Sequence, residues 1–142
     1  MKRFQFRLET LLKYRRLQEQ QEQVRLSRAT AQLRAESEAI KRLECAFTEH
    51  LEHFSRSADG RINVETLKYC RIFADKLKED VQAQAGRVAL AATRREECLT
   101  ALGQAARNRR TVEQLKERQQ SEFQTEVLRD EQKMLDELGS QT

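Results

Sequence analysis

Leu26, Leu33, Ile40, Phe47 and Phe54 follow one another at intervals of seven residues, and Leu12 stands on the same repeat two heptads earlier. A repeat of seven keeps one seam of a helix turned toward a partner helix, so it commits this part of the chain to coiled-coil packing. With these residues at a, the a positions are Gln5, Leu12, Glu19, Leu26, Leu33, Ile40, Phe47 and Phe54. The d positions are Leu8, Arg15, Glu22, Ala29, Glu36, Leu43 and His50. The a seam is strong and the d seam is half polar. Around Arg15 to Gln23 a run of Arg, Gln and Glu leaves almost nothing to bury, and a loosely held coil is expected there.

The partner is found in the same chain. The 142 residues include no proline, no tryptophan and only four glycines, so the punctuation that sheets and compact α/β domains need is missing. Charged residues reach 35% against 38% apolar, which suits a solvated helical surface around a narrow core. Turn formers cluster with glycine only in Ser55 to Asn63, where Asp59-Gly60 supplies a bend and Asn63 can cap a helix starting at Val64. The expectation is an all-α chain: an antiparallel two-stranded coiled-coil hairpin, residues 1–142 as one unit, with helices over about 4–54 and 64–138 and a bend over 55–63.

The second helix carries a seam through Leu67, Cys70, Ala74, Leu77, Val81, Gln84, Val88, Ala91, Cys98, Leu102, Ala105 and Val112. With the bend near residue 59, antiparallel partners have numbers summing to about 118. Leu33 then faces the region of Ala85, Leu26 faces Ala92, and large residues meet the small cluster Ala83, Ala85, Gly86, Ala89, Ala91 and Ala92. Gly86 and Gly103 each cost about 1 kcal/mol relative to alanine, and close approach or flexing is the expected return. Residues 115–138 outrun the first helix by roughly 36 Å. This overhang has its own apolar spacing in Leu115, Phe123, Val127, Leu128, Met134, Leu135 and Leu138.

Charge separates the ends. Lys2 to Arg16 holds six basic residues against one acid, and Glu113 to Glu137 holds eight acids against four basic residues, so proximity of the two ends is favoured. Cys45, Cys70 and Cys98 are odd in number and widely spaced, which makes neither a disulfide framework nor a zinc site and fits a reducing cytosol. No apolar run is long enough for a membrane span, so no direct membrane insertion is expected, and MKRFQFRLETLL is too charged for a secretory signal. Its basic amphipathic character leaves an organellar transit peptide as the alternative.

Chemistry-bearing patterns are few. No phosphate-binding glycine loop and no nucleophile motif occurs, and two paired helices offer no water-excluding cleft, so a non-enzyme without cofactors or metal is expected. His50 and His53 lie three apart on one helix, but nothing near them in the sequence completes a metal coordination shell, and a solvated helix face is the expected reading. Arg87, Arg94, Arg95, Arg107, Arg109 and Arg110 are interrupted by Glu96, Glu97 and Glu113, so nucleic-acid binding is not expected. Tyr69, Ile72 and Phe73 fall off the seam beside the bend. They read either as a protein-binding surface or as a register slip that turns Phe73 inward.

The two ends carry a resemblance. Phe4-Gln5-Phe6-Arg7-Leu8-Glu9-Thr10-Leu11-Leu12-Lys13-Tyr14-Arg15 and Arg129-Asp130-Glu131-Gln132-Lys133-Met134-Leu135-Asp136-Glu137-Leu138 together resemble the FliJ family, the small soluble component of the bacterial flagellar type III export apparatus. The resemblance implies a coiled coil like the stalk of rotary ATPases, at the cytoplasmic face of the flagellar basal body. Such a protein would bind the hexameric export ATPase, promote its assembly and activity, touch the export gate membrane protein, and handle export chaperones or substrates. Carried over by position, the ATPase ring would meet Phe4, Phe6, Arg7, Leu8, Leu11, Leu12, Tyr14 and Arg15, with Arg129, Gln132, Lys133, Asp136 and Glu137. The gate would meet Tyr69, Ile72, Phe73 and Leu77. The competing expectation is a generic coiled-coil scaffold that dimerises through its C-terminal helix.

Overall fold

Both helices follow from the heptads. The computed structural model describes residues 3–57 and 63–141 and contains α1 (Glu9–Ser57) and α2 (Val64–Ser140). Every a and d residue of α1 from Leu12 to Phe54 is buried or half-buried, so the seven-residue frame holds along the helix. In α2 the inward residues include Cys70, Ala74, Leu77, Val81, Gln84, Val88, Ala91, Cys98, Leu102, Ala105 and Val112, as the seam requires. Leu67 departs from it and is exposed.

The helix ends differ in instructive ways. Asn63 caps α2, its Oδ1 accepting from Glu65 N at 3.4 Å while its carbonyl accepts from Leu67 N at 3.1 Å. The expected Asp59-Gly60 turn lies outside the described residues. The first helix starts at Glu9 rather than Phe4. Phe6 is buried and Phe4 half-buried, and two residues apart on a helix would face nearly opposite ways, whereas extended chain lets both turn inward. Glu9 N then donates to Phe6 O at 3.2 Å and Leu12 N to Leu8 O at 2.9 Å, closing the first turn. At the other end α1 runs on through Ser55 and Arg56 to Ser57.

Contacts group the chain into two units, Met1–Gln23 with Ala101–Thr142, and Val24–Thr100. Within Val24–Thr100 the helices are antiparallel. Gln84 Nε2 donates to Glu36 O at 3.1 Å and also to the Glu36 carboxylate, and His50 Nε2 stands 3.2 Å from Cys70 O. Both pairs sum to 120, two residues from the expected 118.

The small residues are not arranged as expected. Ala91 is buried and Ala92 half-buried, but Ala83, Ala85, Gly86 and Ala89 face solvent. The heptad brings Gln84, Val88 and Ala91 inward instead, so the layer opposite Glu36 is polar. A Cβ on Gly86 would meet nothing within 4 Å and one on Gly103 only the Arg107 guanidinium at 4.0 Å, so neither glycine serves a close approach.

Within Met1–Gln23 and Ala101–Thr142, Leu12, Phe6 and Val112 form a core, flanked by Phe4, Leu11 and Leu115. The Phe4 and Phe123 rings pack at 5.6 Å and 50°. Antiparallel pairing is again plain from Lys116 Nζ to Glu9 at 2.9 Å and Arg16 Nη2 to Glu113 at 3.4 Å. The partner numbers sum higher here because long side chains lean toward the N-terminus of their own helix, which in an antiparallel pair displaces the two heads in opposite directions.

Candidate interaction surfaces

The residues that the sequence assigned to an ATPase ring divide into core and surface. Phe6 and Leu12 are buried, Phe4 and Leu11 half-buried against Val112, Leu115 and Phe123. Their apolar area is spent on holding the N-terminal segment to α2. Arg7, Leu8 and Tyr14 remain exposed. Arg15 Nη1 donates to Gln18 Oε1 at 3.1 Å and Gln18 Nε2 to Tyr14 Oη at 3.0 Å, which links half-buried Arg15 to exposed Tyr14 along α1. On the same unit a groove of about 560 Å³ is lined by Phe4, Gln5, Phe6, Glu9, Lys116 and Gln120.

On α2 every residue from Leu128 to Ser140 is exposed while the helix continues unbroken. Arg129, Gln132, Lys133, Asp136 and Glu137 lie on this stretch, and Gln132 Nε2 donates to Asp136 Oδ1 at 3.0 Å along the helix. Leu128, Met134, Leu135 and Leu138 are exposed beside them. The N-terminal segment reaches α2 as far as Phe123, so the two groups of candidate residues sit on one unit without touching in any described hydrogen bond or ion pair.

A cluster that the sequence reading missed holds the polar stretch from Arg15 to Gln23. Arg109 Nε pairs with the Glu19 carboxylate, Arg109 Nη1 with Glu113 at 2.7 Å, and Arg16 with the same Glu113. Instead of being loose for want of apolar burial, the seam here is charged on both sides and complementary. Glu19 raises the Arg109 pKa, chiefly through the hydrogen bond it accepts, with burial opposing and Glu113 adding to the effect. The hydrogen bond from Lys116 holds the Glu9 carboxyl below its ordinary range against the opposing cost of burial, and the charges of Lys116, Lys13 and Arg16 act the same way. The signal for this cluster was present as Glu19 at a and Arg109 at a of the two seams, readable only once the pairing was known.

Near the bend, Tyr69 is 79% and Ile72 68% exposed, while Leu77 at 8% is a seam residue turned away from any partner. Phe73 is 46% exposed, without a register slip, and its ring stands edge-on to His50 at 4.5 Å. Next to it an open apolar groove of about 270 Å³ is lined by His50, Leu51, Phe54, Leu67, Cys70, Arg71 and Ala74. The surface available there is therefore Tyr69, Ile72 and the outer edge of Phe73. Among the described residues no group of His, Cys, Asp and Glu is placed to hold a metal ion, and no helix is long and apolar enough to cross a membrane.

Comparison with known protein families gives a match over nearly the whole chain. The family model described as flagellar FliJ protein covers residues 4–142. No curated protein and no solved structure matches the chain. With that match spanning both helices and both terminal segments, the chain belongs to the FliJ family, helical coiled-coil proteins associated with flagellar export.

Proposed function

We propose that the chain is a stalk-like, non-enzymatic factor of flagellar type III export that binds the hexameric export ATPase and promotes its assembly and activity. The observation that carries this reading is the uncovered end of α2. From Leu128 to Ser140 a continuous helix presents Leu128, Met134, Leu135 and Leu138 to solvent among Arg129, Lys133, Asp136 and Glu137. A helix held outside a pair, with apolar and charged residues both accessible, suits a ring lumen whose contacts change with nucleotide state. Arg7, Leu8 and Tyr14 extend that surface onto the paired end, while Phe4, Phe6, Leu11 and Leu12 support it from inside. The factor works by binding some conformations of the ATPase better than others, which shifts their populations.

The same reading gives Tyr69, Ile72 and Phe73 to the export gate membrane protein, with Leu77 as the seam residue beneath them. Export chaperones or substrates are further partners, and the cytoplasmic face of the basal body is the place of action. Adding the protein to its cognate export ATPase is expected to raise hydrolysis, and reversing charge at Arg7 and Asp136 to blunt the rise. An unchanged rate on addition refutes the proposal. The exposed α2 stripe also supports a scaffold that dimerises through this helix. Sedimentation at high concentration separates the two, since a monomer removes the scaffold reading.

A further inference from the structure

Pairing of the helices gathers arginines that the sequence keeps apart. From Val24 to Ala35 α1 has no acid and carries Arg25, Arg28 and Arg34. From Val81 to Arg95 α2 has none either and carries Arg87, Arg94 and Arg95. The antiparallel register that joins Glu36 to Gln84 and His50 to Cys70 sets these two stretches side by side within Val24–Thr100. Glu96 and Glu97, which interrupt the arginines along the chain, lie at the margin of this region.

Four of the six share a flank. With Leu26, Val88 and Arg95 at a, Arg25, Arg87 and Arg94 are g residues, and antiparallel pairing puts g beside g. Arg28, at c, borders the same flank. Partner numbers summing to 120 set Arg94 level with residue 26 and Arg87 level with residue 33, so the four positions fall within a length of about 12 Å. All four are exposed, and Arg28 and Arg94 have no hydrogen bond or ion pair among the described residues. Leu90, 54% exposed, stands between Arg87 and Arg94, and exposed Ala83 and Gly86 keep the surface beside them low. Like charges gathered so closely repel one another, and an anionic partner relieves that repulsion.

The complement is on the same chain. From Glu122 to Glu131 α2 carries Glu122, Glu126, Asp130 and Glu131 against Arg129 alone. All four acids are exposed, and none has an ion pair among the described residues. Glu122, Glu126 and Asp130 follow at intervals of four along one face of the helix, again over about 12 Å. We propose that this acidic stretch of α2 in one copy of the chain docks on the arginine flank of a second copy. Sign and length both match, and guanidinium forks suit carboxylates spaced along a helix. The contact is heterologous, one surface meeting a different one, unlike a dimer that sets two C-terminal helices against each other. It stands independently of the ATPase reading. Exposed ion pairs are individually weak, so association belongs to high protein concentration and low salt.

Sedimentation equilibrium of the full chain tests the proposal. At low salt the average mass of the native protein is expected to rise above that of the monomer with concentration, and to fall back in high salt. Arg28→Glu with Arg94→Glu, and separately Glu122→Lys with Glu126→Lys, should each weaken association at least about tenfold. All four sites are exposed, and unchanged helical circular dichroism confirms that the coil persists in both variants. An equimolar mixture of the two variants should associate again, because each supplies the charge that the other has reversed. A native protein that stays monomeric at low salt overturns the proposal, even where the arginine variant loses affinity for duplex DNA, since the flank then serves a nucleic acid. Association that survives the arginine reversals, or a mixture that stays monomeric, overturns it equally.

Discussion

Leu12 gives the sharpest test of how the terminal core is held. Its side chain is 0% exposed, packed with Phe6 and Val112 and flanked by Phe4, Leu11 and Leu115. Leu12→Ala removes three carbons, and at about 0.8 kcal/mol each the lost transfer energy is about 2.4 kcal/mol. The cavity contribution that raises such losses in globular cores is small here, because three of the flanking side chains are partly exposed and can close in. The expected cost is about 2–3 kcal/mol. Since the contacts fall into two units, a single melting temperature averages over unlike regions, and amide hydrogen exchange read residue by residue is the better assay. Amides over 12–23 and 105–116 should lose protection by roughly 30- to 140-fold. Leu115→Ala, at a half-buried site, should cost about half as much. A loss below about fivefold at Leu12, or an equal loss at Leu115, would refute the view that one enclosed leucine anchors this end.

Gly86 sits in a helix with open space at its Cβ, so Gly86→Ala should stabilise by up to about 1 kcal/mol in a urea titration; a destabilised variant would mean that the glycine serves a flexing role. The Glu9 carboxyl is depressed by Lys116, so its contribution is present above the ordinary Glu pKa of about 4.3 and is lost as pH falls through the lower folded value. Glu9→Gln should therefore lower exchange protection of the first turn of α1 at pH 7 and leave it unchanged near pH 2, and a difference that persists in acid would count against the ion pair. Leu135→Ala with Leu138→Ala should alter stability by less than about 0.5 kcal/mol, both being exposed, while weakening association with the export ATPase. Full association in pull-down by that double variant would remove the end of α2 from the interface.

The register of α1 was legible because one large apolar residue in seven has no other use in so charged a sequence. The cap at Asn63 was legible for a similar reason, a side chain with one strong local role beside a cluster of turn formers. Phe4 and Phe6 were misread because the helical repeat beyond them was extended backwards over a spacing of two, which belongs to extended chain. The alanines misled in another way. Alanine is both a small packing residue and the best helix former, so Ala83, Ala85 and Ala89 carry no sign of which face they occupy until the seam is fixed by Gln84 and Val88. The Glu19–Arg109–Glu113 cluster depends on which turn of α2 lies opposite which turn of α1 and on how far the long side chains lean along their helices, and residue numbers summing to about 118 do not bring Glu19 to Arg109. The candidate surfaces were legible as exposed apolar residues at Tyr69, Ile72 and Leu135, but Leu77 was grouped with the first two by proximity in sequence although the heptad turns it inward.

The seam charges also bear on what a newly made chain encounters before its second half exists. Glu19, Glu22 and Glu36 all lie in the pairing stripe of α1, and Arg95 and Arg109 lie in that of α2. Two copies of α1 in parallel alignment would set each glutamate against its own duplicate, and two copies of α2 would do the same with arginine, so like meets like in either association. The union of one α1 with one α2 instead sets Glu19 against Arg109, and Glu36 and Arg95 against neutral groups, Gln84 and Thr30. An α1 that emerges from one ribosome is thereby discouraged from winding around its twin on the next, and it waits instead for the stretch of its own chain that follows.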